Sequence, residues 1–101
     1  MAEIALEVKD QKELSLITSA LKREKELLEW EIIKTKTKLE TFEKKHSMTN
    51  QQFLEKYLKG KMGDEEEIME WAGEYQFLQK FEEKHQQLED LIKECLKHME
   101  A

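Results

Sequence analysis

The chain has 101 residues, a net charge of −6 and no proline, so we expect one domain and no direct nucleic-acid binding, because wrapping a duplex needs a basic stripe. No apolar run approaches the length of a membrane span, and the N-terminus lacks the basic and apolar segments of a signal peptide. The single cysteine, Cys95, excludes an internal disulfide and favours a reducing, cytoplasmic location.

The first nine residues differ from the rest of the chain. Ile4, Leu6 and Val8 alternate with other residues, which is the spacing of one side of an extended strand. So short a strand is not stable by itself. Two interpretations stay open: a frayed terminus or early helical turn, which we favour, and an arm that pairs with a partner's sheet edge or crosses a dimer.

A first long helix is predicted over residues 10–47. Asp10 and Glu13 have the spacing of a capping box at its start. Apolar residues then recur at intervals of three, four and seven, as on one helical face: Leu14, Ile17, Leu21, Leu28, Ile32, Leu39 and Phe42. A second apolar set flanks this face: Leu16, Ala20, Leu27, Trp30 and Ile33. Because this surface is wider than a two-helix seam needs, we expect a homodimer or higher homo-oligomer.

A short helix is predicted over residues 49–60, followed by a tight turn. Thr49 and Gln52 form a second capping box. The apolar residues of this helix share one patch: Phe53, Leu54, Tyr57 and Leu58. Gly60 is placed to take the positive φ that ends a helix. The predicted turn residues are Gly60, Gly63 and Asp64.

A second long helix is predicted over residues 64–99, with Asp64 and Glu67 as a third capping box. Three-four spacing continues almost to its end: Ile68, Ala72, Tyr75, Leu78, Phe81, His85, Leu88, Ile92, Cys95 and Met99. Gly73 inside this helix is a place where the short helix or a second chain can approach closely. The predicted fold is therefore all-α: residues 1–101 form one domain, a long antiparallel, coiled-coil-like hairpin with a short connecting helix, assembling into a helical bundle.

Six aromatic residues are the candidates for binding a partner: Trp30, Phe53, Tyr57, Trp71, Tyr75 and Phe77. Four of them, from the short helix and the start of the second long helix, are expected to cluster where these helices meet, and core packing is the favoured explanation of that cluster. Residual exposure of Trp30, Trp71 or Phe77 would instead indicate a protein interface, because aromatic anchors dominate such contacts.

No pattern of catalytic or cofactor chemistry is present, so we expect no enzyme and assign no catalytic, cofactor or metal residue. Cys95 and His98 supply half a metal site at most. Glu82 and His85 have the Glu-x-x-His spacing of di-iron bundles, but a second copy is lacking. We favour His85 as a partly buried seam residue. A metal-binding helical bundle remains an alternative.

The central stretch, residues 48–71, resembles small helical antitoxins of prokaryotic toxin–antitoxin pairs. The resemblance lies in a Met-Thr pair, a Phe, a Tyr, a Gly-x-x-Gly-Asp turn and a Glu-Trp pair: Met48, Thr49, Phe53, Tyr57, Gly60, Gly63, Asp64, Glu70 and Trp71. It implies an activity without catalysis, in which the chain binds and neutralises a cognate toxin. The alternative is a structural or prefoldin-like chaperone coiled coil, although the connector here is predicted to be helical rather than a strand pair.

Overall fold

The computed structural model describes residues 10–100. They form three helices, α1 (Gln11–His46), α2 (Asn50–Leu58) and α3 (Glu66–Glu100). The long helices α1 and α3 pack against each other, and α2 lies at the end where the chain reverses. These observations confirm the all-α hairpin. The arm considered for residues 1–9 lies outside the described residues.

The ends of α1 and the start of α2 are fixed by local hydrogen bonds. The Asp10 carboxylate accepts from the Glu13 backbone N–H at 2.9 Å. At α2, the backbone N–H of Gln52 donates to the Thr49 hydroxyl at 3.1 Å, and the Gln52 side chain accepts in return from the Thr49 N–H at 3.0 Å. The second capping box is therefore complete, and it directs the chain into α2.

Gly60 ends α2 in the left-handed conformation, with φ of +72°. Its N–H donates to the Tyr57 carbonyl at 3.0 Å, and the Lys61 N–H donates to the Lys56 carbonyl at 2.9 Å. This is the Schellman arrangement, which satisfies carbonyls that the helix end would leave free. Gly63 also has positive φ, +77°. Both glycines thus shape the turn that the sequence predicted.

The start of α3 differs from the prediction. The helix begins at Glu66 rather than at Asp64. The carbonyl of Glu65 accepts the bond from the Met69 N–H at 3.1 Å, so the first turn closes one residue beyond the predicted cap. α2 is likewise shorter than predicted, because Thr49 is its cap and Gly60 has already left the helix.

The core is thickest at the end of the hairpin that α2 covers, which we call the head. Its buried members come from all three helices: Leu39, Phe53, Ile68, Trp71, Ala72 and Leu78. Away from the head only α1 and α3 meet, along a seam that includes buried Leu14, Leu28, Leu88 and Ile92. The sequence-derived faces are therefore the ones that the hairpin buries.

Two threonines, Thr18 and Thr35, complete the buried face of α1. The Thr18 hydroxyl donates to the Leu14 carbonyl one turn earlier at 2.8 Å. Such a bond back to the helix lets a hydroxyl be buried without losing its hydrogen bond. Thr35, which interrupts the apolar pattern in the sequence, lies within the seam rather than outside it.

Candidate functional site

Trp71 lies at the centre of the head, between several ring systems. The Phe53 ring is parallel to it, with centroids 3.9 Å apart and planes within 7°. The rings of Phe42 and His46 also stack on it, at 5.6 and 5.1 Å. One aromatic residue thereby joins α1, α2 and α3.

Asn50 completes this packing. The Trp71 indole N–H donates to the Asn50 amide oxygen at 2.9 Å, so the indole keeps a hydrogen bond although Trp71 is 0% exposed. Phe53 is also 0% exposed, and Tyr57 and Tyr75 are half-buried against the same core. Phe53 and Trp71 are thus interior residues of the hairpin, and the exposure that would mark Trp71 as an interface residue is absent.

A charged cluster borders the head. Lys45 and Glu67 form an ion pair at 2.9 Å. His46 Nε2 lies 3.5 Å from the same carboxylate, and this buried nitrogen has no hydrogen-bond partner among the described residues. The hydrogen bond from Lys45 is the main cause that lowers the pKa of Glu67 below its ordinary 4.5, with the Lys45 charge and His46 adding to it and partial burial opposing it.

Ion pairs between α1 and α3 mark one side of the hairpin. On this side Lys38 pairs with Glu74 at 3.4 Å, and Glu24 pairs with Lys84 at 3.0 Å. As the α1 residue number falls, the α3 number rises, which is the antiparallel register that the sequence predicted. A shallow groove on this side is lined by Glu31, Lys34, Thr35, Lys38, Glu74, Phe77 and Phe81.

Exposed apolar side chains continue along this side, away from the head. Leu27 lies one helical turn before Glu31, and Leu91 lies about four turns after Phe77, so both share the face of the groove. Phe77 stacks on Phe81 with centroids 6.1 Å apart. We call this surface the apolar stripe, and its members are Leu16, Ala20 and Leu27 of α1 with Phe77, Phe81 and Leu91 of α3. Trp30 lies midway around α1 between Leu27 and Ile33, on the face turned away from α3.

Most members of the apolar stripe are open to solvent. Leu27 is 54% exposed, Phe77 51% and Leu91 49%, and Leu16 is more exposed still. Trp30, beside the stripe on the outer face of α1, is 66% exposed. Of the six aromatic candidates, Trp30 and Phe77 therefore meet the condition set for an interface.

Ile33 belongs to the other side of the hairpin. It lines a separate groove with Glu82 and His85, where His85 Nε2 lies 3.3 Å from Glu29. The predicted flanking set on α1 is therefore split by the structure between two sides. His85 is half-buried at the edge of the seam, as the sequence interpretation favoured.

Sequence reasoning missed three members of these sites. Asn50 was not recognised as the partner of Trp71, because nothing local to α2 indicates which indole faces it. Phe81 was assigned to the seam alone, and Leu91 was not singled out. The spacing of Phe77, Phe81 and Leu91 along one helical face was the available signal.

Two observations concern the alternatives of a metal-binding bundle and a prefoldin-like chaperone. No group of three or more His, Cys, Asp or Glu residues within residues 10–100 is arranged to hold a metal ion. The connector between the long helices contains α2, and the described residues show no strand pair of the kind that a prefoldin platform needs.

Within the described range, none of the helices combines the length and the apolar character needed to cross a membrane. Comparisons with protein-family models, with curated proteins and with solved structures found no significant match to this chain.

Proposed function

We propose that this chain is a non-enzymatic interaction module: a helical hairpin that self-associates and binds a protein partner. The observation that carries the proposal is the exposure of two large aromatic side chains, Trp30 at 66% and Phe77 at 51%. Tryptophan and other aromatic residues are the side chains that most often supply binding energy at protein interfaces. The single thiol, Cys95, suits a reducing cytoplasm as the place of action.

The grouping of the exposed apolar side chains also supports this function. Apolar residues scattered singly over a surface need no explanation, whereas a contiguous patch marks an interaction site. The exposed residues of the apolar stripe follow one another along both long helices. Polar side chains such as Lys34 and Glu74 border the stripe, as at the rim of an interface.

The most specific form of the proposal is an antitoxin that neutralises a cognate toxin. It is supported by the resemblance over residues 48–71 and by the acidic balance of the chain. An acidic chain complements a basic partner, and such complementarity accelerates association.

Co-expression with the product of a neighbouring reading frame tests this function. We expect that product to be toxic alone, harmless with this chain, and co-purified with it. Replacing Trp30 and Phe77 together by alanine should release the product. Leu58→Ala is the control, because Leu58 is 74% exposed but lies on α2 outside the stripe.

Two results would count against the proposal. If the folded chain does not bind the product, the antitoxin role is lost. If binding is unchanged in the Trp30→Ala, Phe77→Ala double variant, these two exposed aromatic side chains do not bind the partner.

A further inference from the structure

We propose that the apolar stripe is covered by a second copy of this chain, so that two hairpins pack side by side as a four-helix bundle. This inference rests on the proposed function, because it names one partner of the interaction module. It is argued from the area of the stripe, from its position on both helices and from the charges around it.

The area of the stripe is close to what a dimer needs. With Leu16, Leu27 and Phe77 each at least half exposed, the stripe offers on the order of 500 Å² per copy, against about 800 Å² per partner in a standard interface. Residues at its borders add to the buried area. A two-helix hairpin also gains from association, because so small a core rarely suffices alone.

Both helices carry the stripe at the same level along the hairpin. Lys25 lies beside Glu89 and Lys38 beside Glu74, so Leu27 lies at the level of residues near 86, between Phe81 and Leu91 along α3. A two-fold axis in the interface presents the same patch from each copy. Since both helices contribute apolar side chains on this side, with the Glu24–Lys84 ion pair between them, each helix of one copy meets apolar side chains of the other.

The charges around the stripe are compatible with a second copy. Glu24 and Lys84 cross the stripe as an ion pair at 3.0 Å, so covering them buries no unpaired charge. Toward the head, Lys34 and Lys38 border the stripe on α1 and Glu74 borders it on α3. A two-fold axis parallel to the helices places α1 opposite α3 of the second copy, and therefore lysines opposite a glutamate.

Sedimentation equilibrium of the whole chain tests the inference. The natural chain should sediment as a dimer that dissociates on dilution. Leu27→Glu places a charge in the stripe and should raise the dimer dissociation constant by at least about ten-fold. Ile33→Glu is the matched control: Ile33 is 55% exposed and Leu27 54%, but Ile33 lies on the other side. It should change the constant by less than about two-fold.

The inference is overturned if the natural chain stays monomeric at the highest concentration that remains in solution, or if both variants weaken the dimer equally. Circular dichroism of each variant should show unchanged helicity, because both side chains are exposed in the hairpin. A monomeric chain that still binds another protein, and loses it in Leu27→Glu, would refute the second copy and the self-association, and would leave standing the part of the proposed function that concerns a protein partner. A monomer that binds no protein would refute both.

Discussion

Trp71 and Trp30 show how differently one residue type is used in this chain. Trp71 is fully buried, has its indole N–H bonded to Asn50, and stacks on Phe53. Trp30 is 66% exposed on the outer face of α1. The first stabilises the hairpin, and the second is available to bind. In the proposed function, stability and binding therefore depend on different aromatic side chains.

Phe53 is the side chain through which α2 is held to the rest of the head. Phe53→Ala should lower the free energy of unfolding by about 3–5 kcal/mol, because it removes a completely buried ring and leaves a cavity beside Trp71. Leu58→Ala in the same helix should change it by less than about 0.5 kcal/mol, since Leu58 is exposed. Urea unfolding followed by circular dichroism measures both. Equal losses in the two variants would contradict the assignment of Phe53 to the core.

Glu67 makes the stability of the head depend on pH. Its pKa is lowered in the folded chain, chiefly by the hydrogen bond from Lys45. The stabilisation of the folded chain by the charged Glu67 carboxylate is therefore complete above the ordinary pKa of 4.5. It is lost as the pH falls through the lowered pKa. As the pH falls through this acidic range, the urea concentration at the unfolding midpoint should decrease. We expect this decrease to be smaller in Glu67→Gln than in the natural chain.

Lys45→Met separates this effect from the titration of the other carboxylates. Without the Lys45 ammonium, the pKa of Glu67 should rise toward its ordinary value, because the charge and the hydrogen bond that favour the carboxylate are both removed. A carbon-detected NMR titration of the Glu67 carboxyl measures the shift. A Glu67 pKa that is the same with and without Lys45 would show that the ion pair does not persist in solution.

Replacing Gly60 and replacing Gly73 by alanine should have opposite effects on stability. Gly60→Ala should cost about 1 kcal/mol of stability, because a Cβ is strained at a φ of +72°. Gly73→Ala should instead stabilise the chain by about 0.5–1 kcal/mol, since Gly73 lies inside α3 and, beyond its own stretch of helix, no atom of the described residues lies within 4 Å of the added Cβ. Thermal unfolding of the two variants should give midpoints that shift in opposite directions.

The outcome for Gly73 also tests an alternative use of that residue. The sequence suggested that Gly73 permits a close approach, yet nothing in the hairpin approaches it. If Gly73→Ala destabilises the chain instead, the missing neighbour comes from outside the hairpin. If Gly60→Ala is neutral, the turn after α2 relaxes to another conformation.

Element boundaries could be predicted where their cause is local. The caps at Asp10 and Thr49 and the end at Gly60 each depend on residues within one turn, so the sequence displays the whole motif. Ser47 could not be predicted in the same way. It has a positive φ of 53°, which its residue type does not favour. The chain tolerates this conformation at the end of α1, where the Met48 N–H bonds the Glu43 carbonyl.

The apolar stripe shows the limit of sequence reasoning about the whole molecule. Periodicity on α1 revealed an excess of apolar residues, but it did not reveal that Leu27 and Ile33 face opposite sides of the hairpin. That distinction depends on how α1 is rotated against α3, which is set by packing rather than by spacing. The side shared by Leu27 and Phe77 therefore became visible only once both helices were in place.

The uneven thickness of the core leads to an expectation for the molecule as a whole. At the head three helices share the buried cluster around Trp71, whereas the other end has only the seam between two helices. Local opening should therefore start at the end opposite the head. In hydrogen exchange at low chain concentration, amides of residues 68–78 should exchange at least about ten-fold more slowly than those of residues 11–20.

A single substitution distinguishes this gradient from ordinary fraying of helix ends. Phe53→Ala thins the core only at the head, so protection of residues 68–78 should fall toward that of the opposite end, while residues 11–20 should change little. If both regions lose protection together, the hairpin opens as one unit and the head does not hold it closed. If residues 11–20 are the slower ones in the natural chain, stability resides in the seam rather than in the packing around Trp71.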